Sequence, residues 1–453
     1  MQKKLLNHIA ALNNRVAIIE GNNELTYKEL SYKISIYTRE IKLLGIQQGN
    51  TVALLADYSI NTICVFLALY LCNMIIVPIT SKKEEEVKGM LSQINADKIV
   101  KINKEGALEV ENVLCINCDT KTSDLIISLK EKKKSGLILF SSGISGNPKA
   151  MLHDFDKLVE SYSIGRIKSL RFIIFLLFDH IGGINSILQI LHSGCSMVLP
   201  KERNPESIAN LIEQKKVNIL PTTPTFLNLL LVSRVTQKYN LKSLKMITYG
   251  TEPMPSSLLS RLREEFHNVK FLQTFGTSET GISKTLGKGN DTLFKIDDDR
   301  MSYKIVNNEL WIKSKTQIIG YLNHSNDSFT DDGWFKTGDM VEQDGLGYFR
   351  VVGRFKEIIN VGGEKVLPVE VESVLMKNEY ISNCRVYGIS SHLTGQVVCS
   401  EIVVTNTSVP KSLIRKNLKK SCSQFLADYK IPTKFIFVDQ IAHNKRFKKI
   451  KKI

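Results

Sequence analysis

Cysteine is scarce in this chain: eight residues in 453, with a single C-x-x-C at Cys115 and Cys118. No second pair stands at zinc-site spacing, and so few thiols cannot build a disulfide framework. A reducing, cytoplasmic setting is expected. Long apolar runs are also missing. The most apolar stretch, Ile63 to Ile79, is interrupted by Asn73 and carries Pro78. It falls short of the roughly 20 apolar residues that a membrane span needs. It predicts a buried helix running into a buried strand. Near the start, His8, Asn13, Asn14 and Arg15 come before any apolar signal core, so no signal peptide is expected.

Acidic residues are the minority, 45 against 61 basic, for a formal charge of +16. The excess is largely lysine and is spread along the chain, as surface charge usually is. An anionic substrate or partner is compatible with it. Nucleic acid is not expected, because no helix-turn-helix, zinc-finger or aromatic RNP pattern is present. Internal repeats and long linkers are absent as well. The KEKKK run at Lys130–Lys134 reads as a solvated loop.

At 43% apolar and 23% charged the chain can bury sizeable cores, and its length suits two to four folded units. Short β-type runs (VAIIE, TVALLAD, IIVPI, GLILF, FIIFLLF, SMVLP, NILPTTP, LKMITYG) alternate with helical ones such as TYKELSYKISIYTREIKLLG. That alternation predicts an α/β fold with largely parallel sheets, whose strands are apolar on both faces. From Asn307 the texture becomes strand-rich with glycine turns, then alternates again. The expected division is a large N-terminal domain over 1–353 and a small mobile α+β domain over 354–453.

Directly after GLILF stands Ser141-Ser142-Gly143-Ile144-Ser145-Gly146-Asn147-Pro148-Lys149. Two glycines free the backbone to present N–H groups to a polyanion, and the hydroxyls and lysine add donors and charge. It is not the G-x-x-x-x-G-K-[ST] loop, since Lys149 follows Asn-Pro and no hydroxyl residue comes next. Downstream come Phe275-Gly276-Thr277-Ser278-Glu279-Thr280-Gly281, then DGWFKTGDMVEQD from Asp332, then GYFRVVGRFKEIINVGGEKVLPVEVE ending at Glu372. Taken alone, these segments say only that an anion-binding loop and acidic and basic candidates share an α/β scaffold.

In this order and spacing, over nearly the whole chain from LTYKEL onward, they resemble the AMP-forming adenylating superfamily, in its acyl-CoA synthetase branch. The resemblance implies joining a carboxylic acid to ATP as an acyl-adenylate, then passing the acyl group to a thiol. Cofactors implied are ATP, Mg²⁺ and coenzyme A. Positioning and positive electrostatics would do most of the work, because one anion attacks another.

By the same resemblance, Ser141, Ser142, Gly143, Ser145, Gly146 and Lys149 hold the β- and γ-phosphates. Glu279 serves Mg²⁺. Gly250, Thr251 and Glu252 line the adenine and acyl pocket with Gly276, Thr277 and Ser278, and Phe275 lies by the base. Asp339 and Arg354 take the ribose, Lys356 is the hinge, and Gly362 and Gly363 face the thiol tunnel. His180, in Phe178-Asp179-His180-Ile181-Gly182-Gly183, flanks the acyl group. Lys448 is the catalytic lysine, with Lys445, Arg446 and Lys449 as substitutes. The chain departs from the pattern at Ile144, where a hydroxyl is usual, at Ala150 and Phe447, where glycine is, and at Ser278, usually threonine.

Amino-acid-activating members carry an aspartate where this register puts Ile181. An unpartnered ammonium in an apolar pocket is costly, so an acid without a free α-amine is expected unless Asp179 takes that place. Coenzyme A is the expected acceptor, because Gly362-Gly363-Glu364-Lys365-Val366-Leu367-Pro368 resembles the loop that CoA-forming members place beside the thiol tunnel. The alternatives are a carrier protein in trans, or a nucleotide-binding relative with weakened catalysis.

Overall fold

The computed structural model of the chain describes residues 2–113, 123–141, 148–162, 167–289, 291–405 and 408–450. The C-x-x-C pair, Ile144 and four of the phosphate-loop residues (Ser142, Gly143, Ser145 and Gly146) lie outside the described residues.

Two seven-stranded sheets carry most of the N-terminal part. The first runs Lys270–Gln273, Met246–Tyr249, Ile219–Thr222, Arg171–Ile173, Ser196–Leu199 and Val16–Glu20, all parallel, with Asn23–Thr26 antiparallel at its edge. The second has Gly136–Phe140, Ile75–Ile79, Thr51–Leu55 and Lys98–Ile102 parallel at its centre, and antiparallel strands outside them. Helices cover both sheets, which is why runs such as IIVPI and GLILF are buried at every position.

The apolar stretch from Ile63 to Ile79 resolves as expected into helix Ile60–Leu71 and strand Ile75–Ile79. Ser59 caps the helix by accepting from Thr62 N, and Thr62 to Tyr70 are all buried. Asn73 takes φ +56° in the turn between the two, a conformation that asparagine tolerates. Pro78 donates no hydrogen bond, and the pairing of its strand with Gly136–Phe140 ends at Ile76 and Leu137, ahead of it. In FIIFLLF only Phe172 and Ile173, the end of strand Arg171–Ile173, are strand; Ile174 to Leu177 lead into the turn before helix Ile181–Ser193.

Beyond Gln273 a hairpin pairs Phe275–Thr277 with Gly281–Ser283, and an antiparallel six-stranded sheet runs from Thr285 to Arg354. A one-turn helix, Phe355–Glu357, joins it to a last mixed sheet. There Ile381–Ser391 and Gly395–Val404 form a long hairpin, Lys434–Phe437 runs parallel to it, and helices Pro368–Leu375 and Lys411–Phe425 pack over it on a separate core.

Candidate functional site

Three neighbouring parallel strands of the first sheet end at the same side. Arg171–Ile173 leads to His180, Ile219–Thr222 to Thr223 and Met246–Tyr249 to Gly250–Glu252. The crevice beyond strand ends is where open α/β sheets take ligands. Phe175, Leu176, Leu177, His180, Thr223 and Thr251 wall a small cavity of about 10 Å³ there, and the C-terminal segment Lys445–Lys448 closes it.

His180 begins its helix as a cap. Its Nδ1 accepts from Gly182 N at 3.1 Å, so the proton of the neutral ring sits on Nε2. Burial holds the imidazole well below the usual histidine range, and the positive charges of Arg446 and Lys448 push the same way. Thr251 takes φ +71°, the left-handed region that a β-branched residue avoids, and its Oγ1 is buried without a partner. Such strain concentrates at functional sites. Gly250 is forced by contact: a Cβ would lie 2.7 Å from Thr274 O.

The C-terminal segment is fastened along its length. Thr223 Oγ1 donates to Phe447 O at 2.8 Å while accepting from Phe226 N, so one hydroxyl caps a helix and holds the segment. The Phe447 ring packs 5.2 Å from Phe175, 5.0 Å from Phe226 and 5.2 Å from His443. Its φ is +51°, the conformation that explains why glycine is usual there. Lys448 N donates to Asn444 Oδ1 at 3.1 Å, and Asn444 N returns a bond to Lys448 O at 2.9 Å. Lys449 N donates to Glu252 Oε1 at 3.0 Å, and Glu252 Oε2 accepts from Thr225 Oγ1 at 2.7 Å.

Several other candidates sit in small hydrogen-bonded groups. Asp339 and Arg354 are partners in one strand pair, with Arg354 Nε donating to Asp339 Oδ1 at 2.8 Å. Glu279 Oε1 accepts from Tyr321 OH at 2.9 Å, and Lys149 Nζ sits 4.9 Å from the centre of the same Tyr321 ring. Ser141 and Lys149 close the end of one hairpin, with Ser141 N donating to Lys149 O at 3.0 Å. Thr277 Oγ1 lies 3.0 Å from Thr280 Oγ1, Ser278 is in the adjoining turn, and a Cβ on Gly276 would collide with Gly281 O.

Lys356 is exposed in the one-turn helix. Gly362 and Gly363, at φ +60° and +92°, turn the hairpin between Ile359–Val361 and Glu364–Val366. Phe275 lies in the hairpin strand Phe275–Thr277. It is 8% exposed and stacks on Phe294 at 6.1 Å inside a small apolar core.

A family model described as AMP-binding enzyme matches residues 6–306, and one described as AMP-binding enzyme C-terminal domain matches 370–448. The chain belongs to the AMP-binding enzyme family. Among curated relatives, 2-succinylbenzoate–CoA ligase of Bacillus licheniformis is 27% identical, covering 95% of this chain and 94% of its own. Long-chain-fatty-acid–CoA ligase FadD13 of Mycobacterium tuberculosis is 24% identical over 95% and 92%. The anthranilate CoA ligase AuaEII, solved in complex with anthranoyl-AMP, superposes with a TM-score of 0.83 at 19% identity, covering 98% of this chain and 95% of that one.

In this AMP-binding enzyme, sequence reasoning passed over Thr223, Glu372 and Tyr321. A Thr-Pro pair opening a helix does mark Thr223 as a cap. Nothing in a single sequence marks Glu372, which reaches the site only through Lys449 Nζ at 2.8 Å. Among the described residues no three His, Cys, Asp or Glu side chains gather as a metal site, and no helix is long and apolar enough to cross a membrane.

Proposed function

We propose that this chain is an AMP-forming acyl-CoA synthetase. The observation that carries the reading is the docking of Lys445–Lys448 onto the cavity walled by His180 and Thr251, which seats Lys448 where its charge bears on His180. The names of the curated relatives, ligases of acids to CoA, support the same activity.

In the first half-reaction a carboxylate oxygen of the acid attacks the α-phosphorus of ATP. The bond to the β-phosphate oxygen breaks and pyrophosphate leaves. Lys448 neutralises charge gathered between carboxylate and α-phosphate, and neutral His180 offers its Nε2–H as a donor beside the acyl group. Lys149 and the Ser141 end of its hairpin hold the outer phosphates. Asp339, oriented by its ion pair with Arg354, accepts the ribose hydroxyls. Glu279, held by Tyr321, fits Mg²⁺ as a single carboxylate beside substrate phosphates, the usual habit of that ion; when bound, it offsets the triphosphate charge.

For the second half-reaction the division at 353/354 becomes a hinge at exposed Lys356. The small domain swings, Lys448 leaves, and the turn at Gly362 and Gly363 faces the entering thiol. The sulfur of coenzyme A attacks the acyl carbonyl, its proton is lost to solvent, and AMP departs. Ile181 is buried among Phe178 and Ile184, offering no partner to an α-ammonium, so an acid without one is favoured. The cysteines of the described residues are free thiols, consistent with a cytoplasmic enzyme.

Incubation with ATP, Mg²⁺, CoA and a panel of fatty, aryl, hydroxy and amino acids, read by mass spectrometry, tests this. The expected product is an acyl-CoA from one class lacking an α-amine. AMP release with an acid but no acyl-CoA would replace CoA by a carrier protein as acceptor.

A further inference from the structure

Lys449 ends on a carboxylate, but the guanidinium of Arg446 ends on a carbonyl: Nη2 donates to Phe140 O at 3.2 Å. Phe140 closes the strand Gly136–Phe140, and its register partner Ala150 opens the returning strand. At that end Ser141 N donates to Lys149 O and Lys149 N to Ser141 Oγ. Arg446 therefore reaches the end of the hairpin that carries Lys149. Its charge also bears on His180, and it walls the same cavity as Thr223 and Thr251.

The opposite charge bearing on Arg446 is Asp179. That carboxylate is already engaged: Oδ2 accepts from Thr80 Oγ1 at 2.6 Å and Thr80 N at 3.3 Å, while Oδ1 is buried with no hydrogen-bond partner. Burial disfavours the charge on Arg446, and Asp179 offsets only part of that. Guanidinium has five N–H donors in a planar fork, and one of them is occupied by Phe140 O. A partly desolvated fork with donors to spare suits a doubly accepting oxyanion.

We propose that Arg446 is a phosphate-binding residue of the docked state, its fork taking oxygens of the nucleotide's phosphate chain between the hairpin end and His180. The inference rests on the reading of the chain as an adenylating enzyme and deepens it. Two anions meet in this site, and the Phe140 carbonyl at the Ser141–Lys149 end places the fork on the phosphate side. Lys448 is left to the carboxylate. Because Arg446 and Lys448 share one segment, phosphate binding also favours docking, and the fork withdraws when the segment does.

Titration calorimetry with Mg–ATP, AMP, inorganic pyrophosphate and adenosine needs no knowledge of the acid. Arg446→Gln is expected to weaken Mg–ATP about tenfold or more, the scale of a lost charge-assisted pair. Arg446→Lys, which keeps charge but not the fork, recovers part of the loss, and adenosine binding is unchanged. A parallel loss for AMP puts the fork on the α-phosphate; a loss confined to ATP and pyrophosphate puts it on the leaving group. Unchanged affinities in Arg446→Gln would overturn the inference, as would an equal loss for adenosine. Failure of the underlying reading shows instead in the wild type, as absence of binding by ATP and adenosine alike.

Discussion

Lys449 Nζ lies 2.8 Å from Glu372 Oε2 and 2.7 Å from Cys384 O, while its backbone N–H donates to Glu252 Oε1 at 3.0 Å. One residue is thus tied to helix Pro368–Leu375 and strand Ile381–Ser391 of the small domain and to the loop after Met246–Tyr249 of the large one. Lys448 is its neighbour. Buried, the ammonium is held in its charged form by Glu372, whose Oε1 also accepts from Val386 N at 2.9 Å.

Removing one partner of such a pair leaves the other buried and uncompensated, a cost of about 3–5 kcal/mol where nothing relaxes. Here both partners belong to the small domain, so the pair orders the segment that carries Lys448 within that domain, and its loss leaves the segment less well placed to dock. Lys449→Met and Glu372→Gln are each expected to slow acid-dependent ATP–pyrophosphate exchange at least tenfold. Conversion of presynthesised acyl-adenylate and CoA should change far less, because the segment has left by then. Equal losses in both half-reactions would contradict this account.

Phe447 sets two effects against each other. Its left-handed backbone costs about 1–2 kcal/mol that glycine would avoid. Its ring, against Phe175, Phe226 and His443, contributes about 1.5–3 kcal/mol of burial plus aromatic contacts worth about 0.5–1.5 each. Packing wins, so Phe447→Gly is expected to weaken docking, seen as faster proteolysis after Lys445 and slower exchange. Faster exchange would show that backbone strain outweighs the packing of the ring.

How much of this was legible beforehand depends on what each feature rests upon. The Ile63–Ile79 stretch was readable because its length and its Asn and Pro are local facts, and it folded as a buried helix and strand. The order of motifs over the chain was readable as a family resemblance, and the family models match it. The Phe447 position was visible as a departure, but its left-handed φ and its aromatic seat were not, since Phe175 and Phe226 lie more than two hundred residues away. The Lys449–Glu372 tie is equally non-local. Phe275 was legible only through its motif position, whereas its packing on Phe294 comes from residues that meet it through the tertiary fold.

Asp339 is buried with Arg354 as its ionic partner. In the proposed role Asp339→Ala removes the ribose acceptor, so the KM for ATP should rise about tenfold or more, two hydrogen bonds to a charged group being at stake. The KM for the acid should hold. A rise confined to the acid would move the ribose elsewhere.

His153 lies in the strand Ala150–Asp154 with both ring nitrogens buried and unpartnered, and burial pushes its pKa down to about 4. Between about pH 6.5 and 4 the unfolded chain takes up a proton there that the folded chain does not, so stability falls as pH falls through that window. The full contribution is about 3 kcal/mol, at about 1.36 kcal/mol for each pH unit of that window. His180 and His192, also shifted downward, add to the same slope. His153→Leu should flatten the loss in denaturant unfolding between pH 7 and 5; an unaltered slope would place the proton uptake elsewhere.

The most direct test of the central claim is ATP–pyrophosphate exchange by wild type and Lys448→Ala across the acid panel with Mg²⁺. The account predicts acid-dependent exchange by the wild type and a loss of a hundredfold or more in the variant, about 2.7 kcal/mol of transition-state stabilisation or greater. Full exchange by Lys448→Ala would contradict it, because the docked segment would then hold a lysine that the chemistry does not use.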